Sequence, residues 1–155
     1  MSQIDHLLLS QAIDAAETAL SLGETPFAAL IADADTVLGV FKNGTAQGDP
    51  TAHAEIVAIR ETCAAYEAEM LRRCTIYCSC EPCPMCTAAI FYAGIPRIVY
   101  AAPIEEARAF GSGDPPLKAT QLSDLGCMQL EILSGGMSDR VVELFKRRKD
   151  SHGEL

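Results

Sequence analysis

"CTIYCSCEPCPMCTAAIFYAGIPRIVYAA", residues 74–102, decides the fold. Its first run, "CTIYCS", reads as a strand, and Pro82 opens the turn that ends it. "CPMCTAAIFYAG" reads as a helix that stops at Gly94, because glycine accepts the left-handed conformation that closes a helix. "RIVYAA", from Arg97, is a second strand. A strand, a helix and a strand in succession imply a crossover connection and a sheet that is at least partly parallel.

Upstream, residues 3–22 place Ile4, Leu7, Leu8, Ala12, Ala15, Ala16, Ala19 and Leu20 at helical spacing, and Gly23 stops the run. "PFAALIAD", from Pro26, and "TVLGVFKN", from Thr36, read as two strands joined by the turn "ADAD". "QGDP" at 47–50 breaks the chain, and Thr51 is placed to cap a helix running to about Tyr66. Downstream, residues 103–125 hold a short helical piece and the loop "GSGDPP". "CMQLEIL", from Cys127, is a fifth strand, and "SDRVVELFKRRK" a last helix. The expected architecture is one α/β domain over residues 1–155, with a five-stranded mixed sheet between two layers of helices.

Composition narrows the chemistry. Of the 155 residues, 49% are apolar and 21% charged, as in globular proteins, and no apolar run approaches the length of a membrane helix. The N-terminus lacks the basic start of a signal peptide, which points to the cytoplasm. The seven cysteines are an odd number, and Cys74, Cys78, Cys80, Cys83 and Cys86 crowd together. Such clustering reads as metal binding or free thiols rather than disulfides. The net charge of −9 argues against a large nucleic-acid surface. The one basic cluster, Lys146 to Lys149, reads as cations closing the last helix against its dipole, or as a local patch for RNA or another partner.

Cys83 and Cys86 lie three apart at a helix start, so both sulfurs share one face. The helix N-terminus favours their thiolate forms. His53 opens another helix. A histidine and two cysteines suit zinc and leave a fourth position open for water. Glu55 is the candidate base for that water. Residues two apart in mid-helix point to nearly opposite sides, so His53 and Glu55 can converge only if His53 stands at the helix entrance. The competing reading is a structural four-cysteine zinc or an iron–sulfur cluster on Cys78, Cys80, Cys83 and Cys86, which leaves His53 and Glu55 without a role.

The joint pattern, "HAE" at 53–55 and "PCPMC" at 82–86, matches the H-x-E and P-C-x-x-C signature of zinc-dependent nucleobase deaminases. The chain resembles that superfamily, with its cytidine-deaminase-like fold, from the first helix to the last. "DPTAHAE" (49–55) is similar to both guanine deaminases and tRNA adenosine deaminases, and "SCEPCPMC" (79–86) looks most like guanine deaminases. The resemblance implies one Zn2+ per subunit with a bound water or hydroxide, held by His53, Cys83 and Cys86, and Glu55 as the proton carrier. It implies Asn43 and Ala54 as substrate contacts and places Phe27 near the pocket, as a stacking ring or a core residue. Asp114, in "GSGD", falls where guanine deaminases carry an acid that reads the base. A carboxylate suits guanine's adjacent N1–H and 2-amino donors, although "SGDPP" is equally turn chemistry. "FYAGIP" (91–96) and "KDSHGEL" (149–155) depart from the aromatic pattern of guanine deaminases.

The expected function is hydrolytic deamination of a free nucleobase, with guanine giving xanthine and ammonia. Deamination of tRNA adenosine, or of another base, nucleoside or triazine, is the alternative. A structural zinc or redox module is the non-enzymatic reading. The resemblance also implies a homodimer that acts on a small molecule, and the acidic charge and short apolar runs argue against nucleic acid or membrane as partner.

Overall fold

The computed structural model describes residues 1–126, 128–153 and 155. Its elements are α1 (Gln3–Ser21), β1 (Ala28–Asp33), β2 (Thr36–Lys42), α2 (Ala54–Ala65), α3 (Ala68–Leu71), β3 (Cys74–Cys80), α4 (Pro84–Tyr92), β4 (Arg97–Ala102), α5 (Ile104–Ala109), α6 (Ala119–Leu125), β5 (Glu131–Ser134) and α7 (Ser138–His152). The strands form one sheet in the order β2-β1-β3-β4-β5. β1 is antiparallel to β2 and β3, whereas β3, β4 and β5 run parallel. The crossover read from residues 74–102 is therefore the β3–α4–β4 unit.

Strand periodicity divides the core in two. Ala28, Leu30 and Ala32 join Leu9, Ile13, Val141 and Phe145 from α1 and α7. Ala29 and Ile31 join Ala54, Ala58 and Ile90 from α2 and α4 on the other face. With both faces covered, the central strands need no polar side, which is why β1 reads as a continuous apolar run. No helix among the described residues is long and apolar enough to cross a membrane.

Several boundaries differ from the sequence reading. Thr51 does not cap α2. Its N–H and hydroxyl both donate to Asp49 Oδ1, at 2.8 and 2.6 Å, in a turn that delays the helix to Ala54. The fifth strand begins at Glu131. The expected first residue, Cys127, lies outside the described residues, and Met128 donates its N–H to Ser123 O at 3.0 Å, toward α6 rather than the sheet. Helix α6 escaped the sequence reading because its buried residues, Ala119 and Ser123, are small or polar and make no apolar stripe. The basic cluster lies mostly before the last turn of α7, which holds Lys149 and His152. Arg147 instead pairs with Glu17 of α1 at 2.7 Å, and Lys146 with Glu143 at 3.8 Å.

A partly buried ion pair fastens α1 to the sheet. Arg97 Nη1 and Nη2 donate to the two oxygens of Asp5, at 2.6 and 3.1 Å, and Tyr77 Oη donates to Asp5 at 2.9 Å. Ser2 and Asp5 also form a reciprocal cap at the start of α1. The Arg97 guanidinium holds the Asp5 carboxyl far below its ordinary value of 3.8. A depressed folded-state value means that the stabilisation is present above about pH 4 and is lost as pH falls toward the folded value. Asp5→Ala should destabilise the protein by about 1.5–3 kcal/mol by removing the charged acceptor shared by Arg97, Tyr77 and Ser2, although Arg97 keeps Glu131, and should flatten the acid side of a stability–pH profile from chemical denaturation. An unchanged acid limb would remove Asp5 from this role.

Candidate active site

The site forms where two helix entrances meet. His53 is the N-cap of α2, with extended backbone (φ −60°, ψ 155°), and Glu55 is in the first turn. Cys83 is the N-cap of α4 (φ −64°, ψ 169°), followed by Pro84, whose fixed φ suits the first helical position. Neither N-cap side chain is spent on capping its own helix. The convergence of His53 and Glu55 demanded an entrance position, and the histidine has it.

His53 Nδ1 lies 3.6 Å from Cys83 Sγ, and the ligand atoms of His53, Cys83 and Cys86 lie within 4.8 Å of one another. A tetrahedral zinc, with bonds of roughly 2.3 Å to sulfur and 2.05 Å to nitrogen, would hold that sulfur and nitrogen about 3.6 Å apart. The donor set and its spacing fit zinc. Cys78 and Cys80 stand outside this group, and burial pushes both thiols well up, as for packed apolar residues. The four-cysteine reading is therefore not the arrangement seen.

Charge is strongly redistributed here. A hydrogen bond with Cys86, aided by His53, lowers the Cys83 thiol to about 4, the thiolate form that binds metals. The Cys83 partner raises His53 to about 9. Glu55 is 8% exposed, and burial lifts its carboxyl to about 7.

His53, Glu55 and Cys83 line a cavity of about 320 Å3 with Thr25, Phe27, Asn43, Glu81 and Asp114. Asn43 Nδ2 donates to the hydroxyls of Thr25 and Thr45, the latter at 2.8 Å. Phe27 is packed against the core and also borders the cavity. Its ring lies 5.5 Å from Phe145. Ser112 Oγ donates to Asp114 Oδ2 at 3.1 Å, and burial raises the Asp114 carboxyl. Ala54 packs its side chain into the core beneath α2, so it can offer the site only main-chain groups of the first helical turn.

Glu81 is neither a metal ligand nor the cap of the cysteine helix. Cys83 holds that N-cap, and the Glu81 carboxylate turns elsewhere. It accepts from the N–H of Ile104 at 3.1 Å and of Ala119 at 2.9 Å. Neither this bridge nor the Thr25–Asn43 bond has a signal in local spacing, because each joins distant segments.

The sequence profile of the cytidine and deoxycytidylate deaminase zinc-binding region matches residues 2–102. The chain belongs to that family. Within it, the chain is 42% identical over 90 residues to a guanine deaminase of Bacillus subtilis (strain 168), covering 57% of this chain and 58% of that one. It is 38% identical over 113 residues to a tRNA-specific adenosine deaminase of Haemophilus influenzae, covering 72% of this chain and 65% of that one. The chain thus spans less than two thirds of the length of both relatives. A solved guanine deaminase structure from Nitrosomonas europaea shares the deaminase fold, with a TM-score of 0.78 at 21% identity, covering 94% of this chain and 84% of that one.

Proposed function

We propose that the protein is a hydrolytic deaminase of a free nucleobase, with guanine as the substrate. The observation that carries the choice of base is Asp114, a part-buried carboxylate lining the same cavity as His53, Glu55 and Cys83. A carboxylate accepts two hydrogen bonds side by side and so suits guanine's N1–H and 2-amino donors, whereas adenine has no such pair.

His53, Cys83 and Cys86 would hold one zinc, which supplies the Lewis acidity that makes water nucleophilic at neutral pH. Glu55 takes the proton from the attacking water and delivers it to the ring nitrogen beside the amino-bearing carbon. The same carboxyl then protonates the departing amine, and ammonia leaves. A carboxyl raised toward 7 is matched to both tasks. Phe27 packs against the base face, and Asn43, its amide held by Thr25 and Thr45, contacts the base edge.

The similarity to tRNA-specific adenosine deaminases supports a second reading, in which the base is part of an anticodon loop. The charge of −9 and the internal pairing of Arg147 and Lys146 weigh against it. Ammonia release by zinc-loaded protein on guanine, guanosine, cytosine, adenine and an adenosine-bearing anticodon stem-loop separates the two. Turnover of guanine is expected. Turnover of the stem-loop alone would replace the first reading with the second.

The working unit is a homodimer. Tyr92 on α4 is 85% exposed with the Phe91 ring against it, and Leu125 on α6 is 79% exposed, apolar side chains of the kind that partners cover. Light scattering should give twice the chain mass. A monomer at high micromolar concentration would refute this.

A further inference from the structure

Glu81 is 3% exposed and stands two residues before Cys83. Its backbone N–H donates to Ala102 O at 2.7 Å, which locks it to the end of β4. Its two carboxylate oxygens accept from Ile104 and Ala119, the first residues of α5 and α6. Between those helices runs the segment that carries Asp114. Arg108 Nε donates to Asp114 O at 3.1 Å, and Ser112 N–H to Ala107 O at 3.2 Å, so the segment is tied to α5 as well.

One side chain therefore clamps both helices that bracket Asp114 to the turn that presents Cys83. Two charge-assisted bonds at two helix starts are the stronger kind of hydrogen bond. We propose that Glu81 is a positioning residue: it lines the cavity, but both its carboxylate oxygens are held by helix N–H groups, and through them it sets the placement of Asp114 against the cysteine pair and so the reading of the base. This rests on the guanine reading of the site.

Glu81→Gln tests it. The amide offers one acceptor oxygen, and its NH2 would face the second helix N–H, so one of the two helices must lose its cap. Zinc content should stay at the wild-type value, and kcat/KM for guanine should fall about 10- to 100-fold, the usual cost of a lost supporting contact. In the Asp114→Ala background the same substitution should cost less than about threefold, because the group it places is gone. Equal losses in both backgrounds would make Glu81 a general fold residue, and loss of zinc would route its effect through the metal; either result overturns the proposal.

Hydrogen exchange separates this from failure of the guanine reading. Glu81→Gln should speed exchange across residues 110–118 while α4 stays protected, whatever the substrate proves to be. Unchanged exchange there would overturn the positioning role even in an active enzyme. Silence of the wild type on guanine would instead end the substrate reading and leave the exchange result to judge Glu81. Glu81→Asp, which keeps the charge but falls one methylene short of spanning both helices, serves if the glutamine variant does not fold.

Discussion

Glu55→Gln should leave the fold and the bound zinc intact and lower turnover by about 10²- to 10⁴-fold, the span attributed to a positioned general acid–base group. Glutamine fills the same volume beside α4 and cannot exchange a proton at neutral pH. The loss should appear in kcat, since the base would still enter a cavity of unchanged shape. Burial lifts the Glu55 carboxyl to about 7, and a bound cation would pull it lower. The ionised form is the one that takes the proton, so wild-type turnover should fall as pH drops through an acid limb at or below about 7. That limb should be missing from the residual activity of the variant. A Glu55→Gln enzyme with wild-type kcat would place the proton carrier elsewhere.

Cys83→Ala should empty the metal site. The three donors lie together because two helix entrances face each other, and removing one leaves His53 and Cys86, fewer than the three protein ligands of a catalytic zinc. Metal analysis after dialysis against a mild chelator should fall from one zinc per chain to less than about a tenth, and ammonia release with it, since a catalytic zinc needs its full ligand set. Cys83→Ser provides the control. It keeps a side chain of similar size at the N-cap of α4, so a loss of zinc without a loss of melting temperature would assign the defect to the metal rather than to the helix. Full metal content in both variants would remove Cys83 from the ligand set.

Much of this site was legible in the sequence because its chemistry is local. H-x-E and P-C-x-x-C are short patterns, and helical geometry states what each spacing permits. The demand that His53 stand at a helix entrance followed from the angle between residues two apart, and its backbone is extended there. The β3–α4–β4 crossover was equally local, since Gly94 and Pro82 punctuate it. The start of α2 is less legible, because the Asp49–Thr51 turn competes with the cap. The fifth strand starts later than its apolar run, because Met128 bonds back to α6.

The amino-acid sequence by itself determined the donor types, the helix entrances that hold them and the apolar runs that must pair into a sheet. Only the tertiary structure decided which distant groups meet. Asp5 finds Arg97 and Tyr77, Asn43 finds Thr25, and Glu81 finds Ile104 and Ala119 across the chain. Such bonds leave no periodic trace, because a buried polar group takes whatever partner the packed layers bring within reach, and that partner's place in the chain is set by topology rather than by spacing.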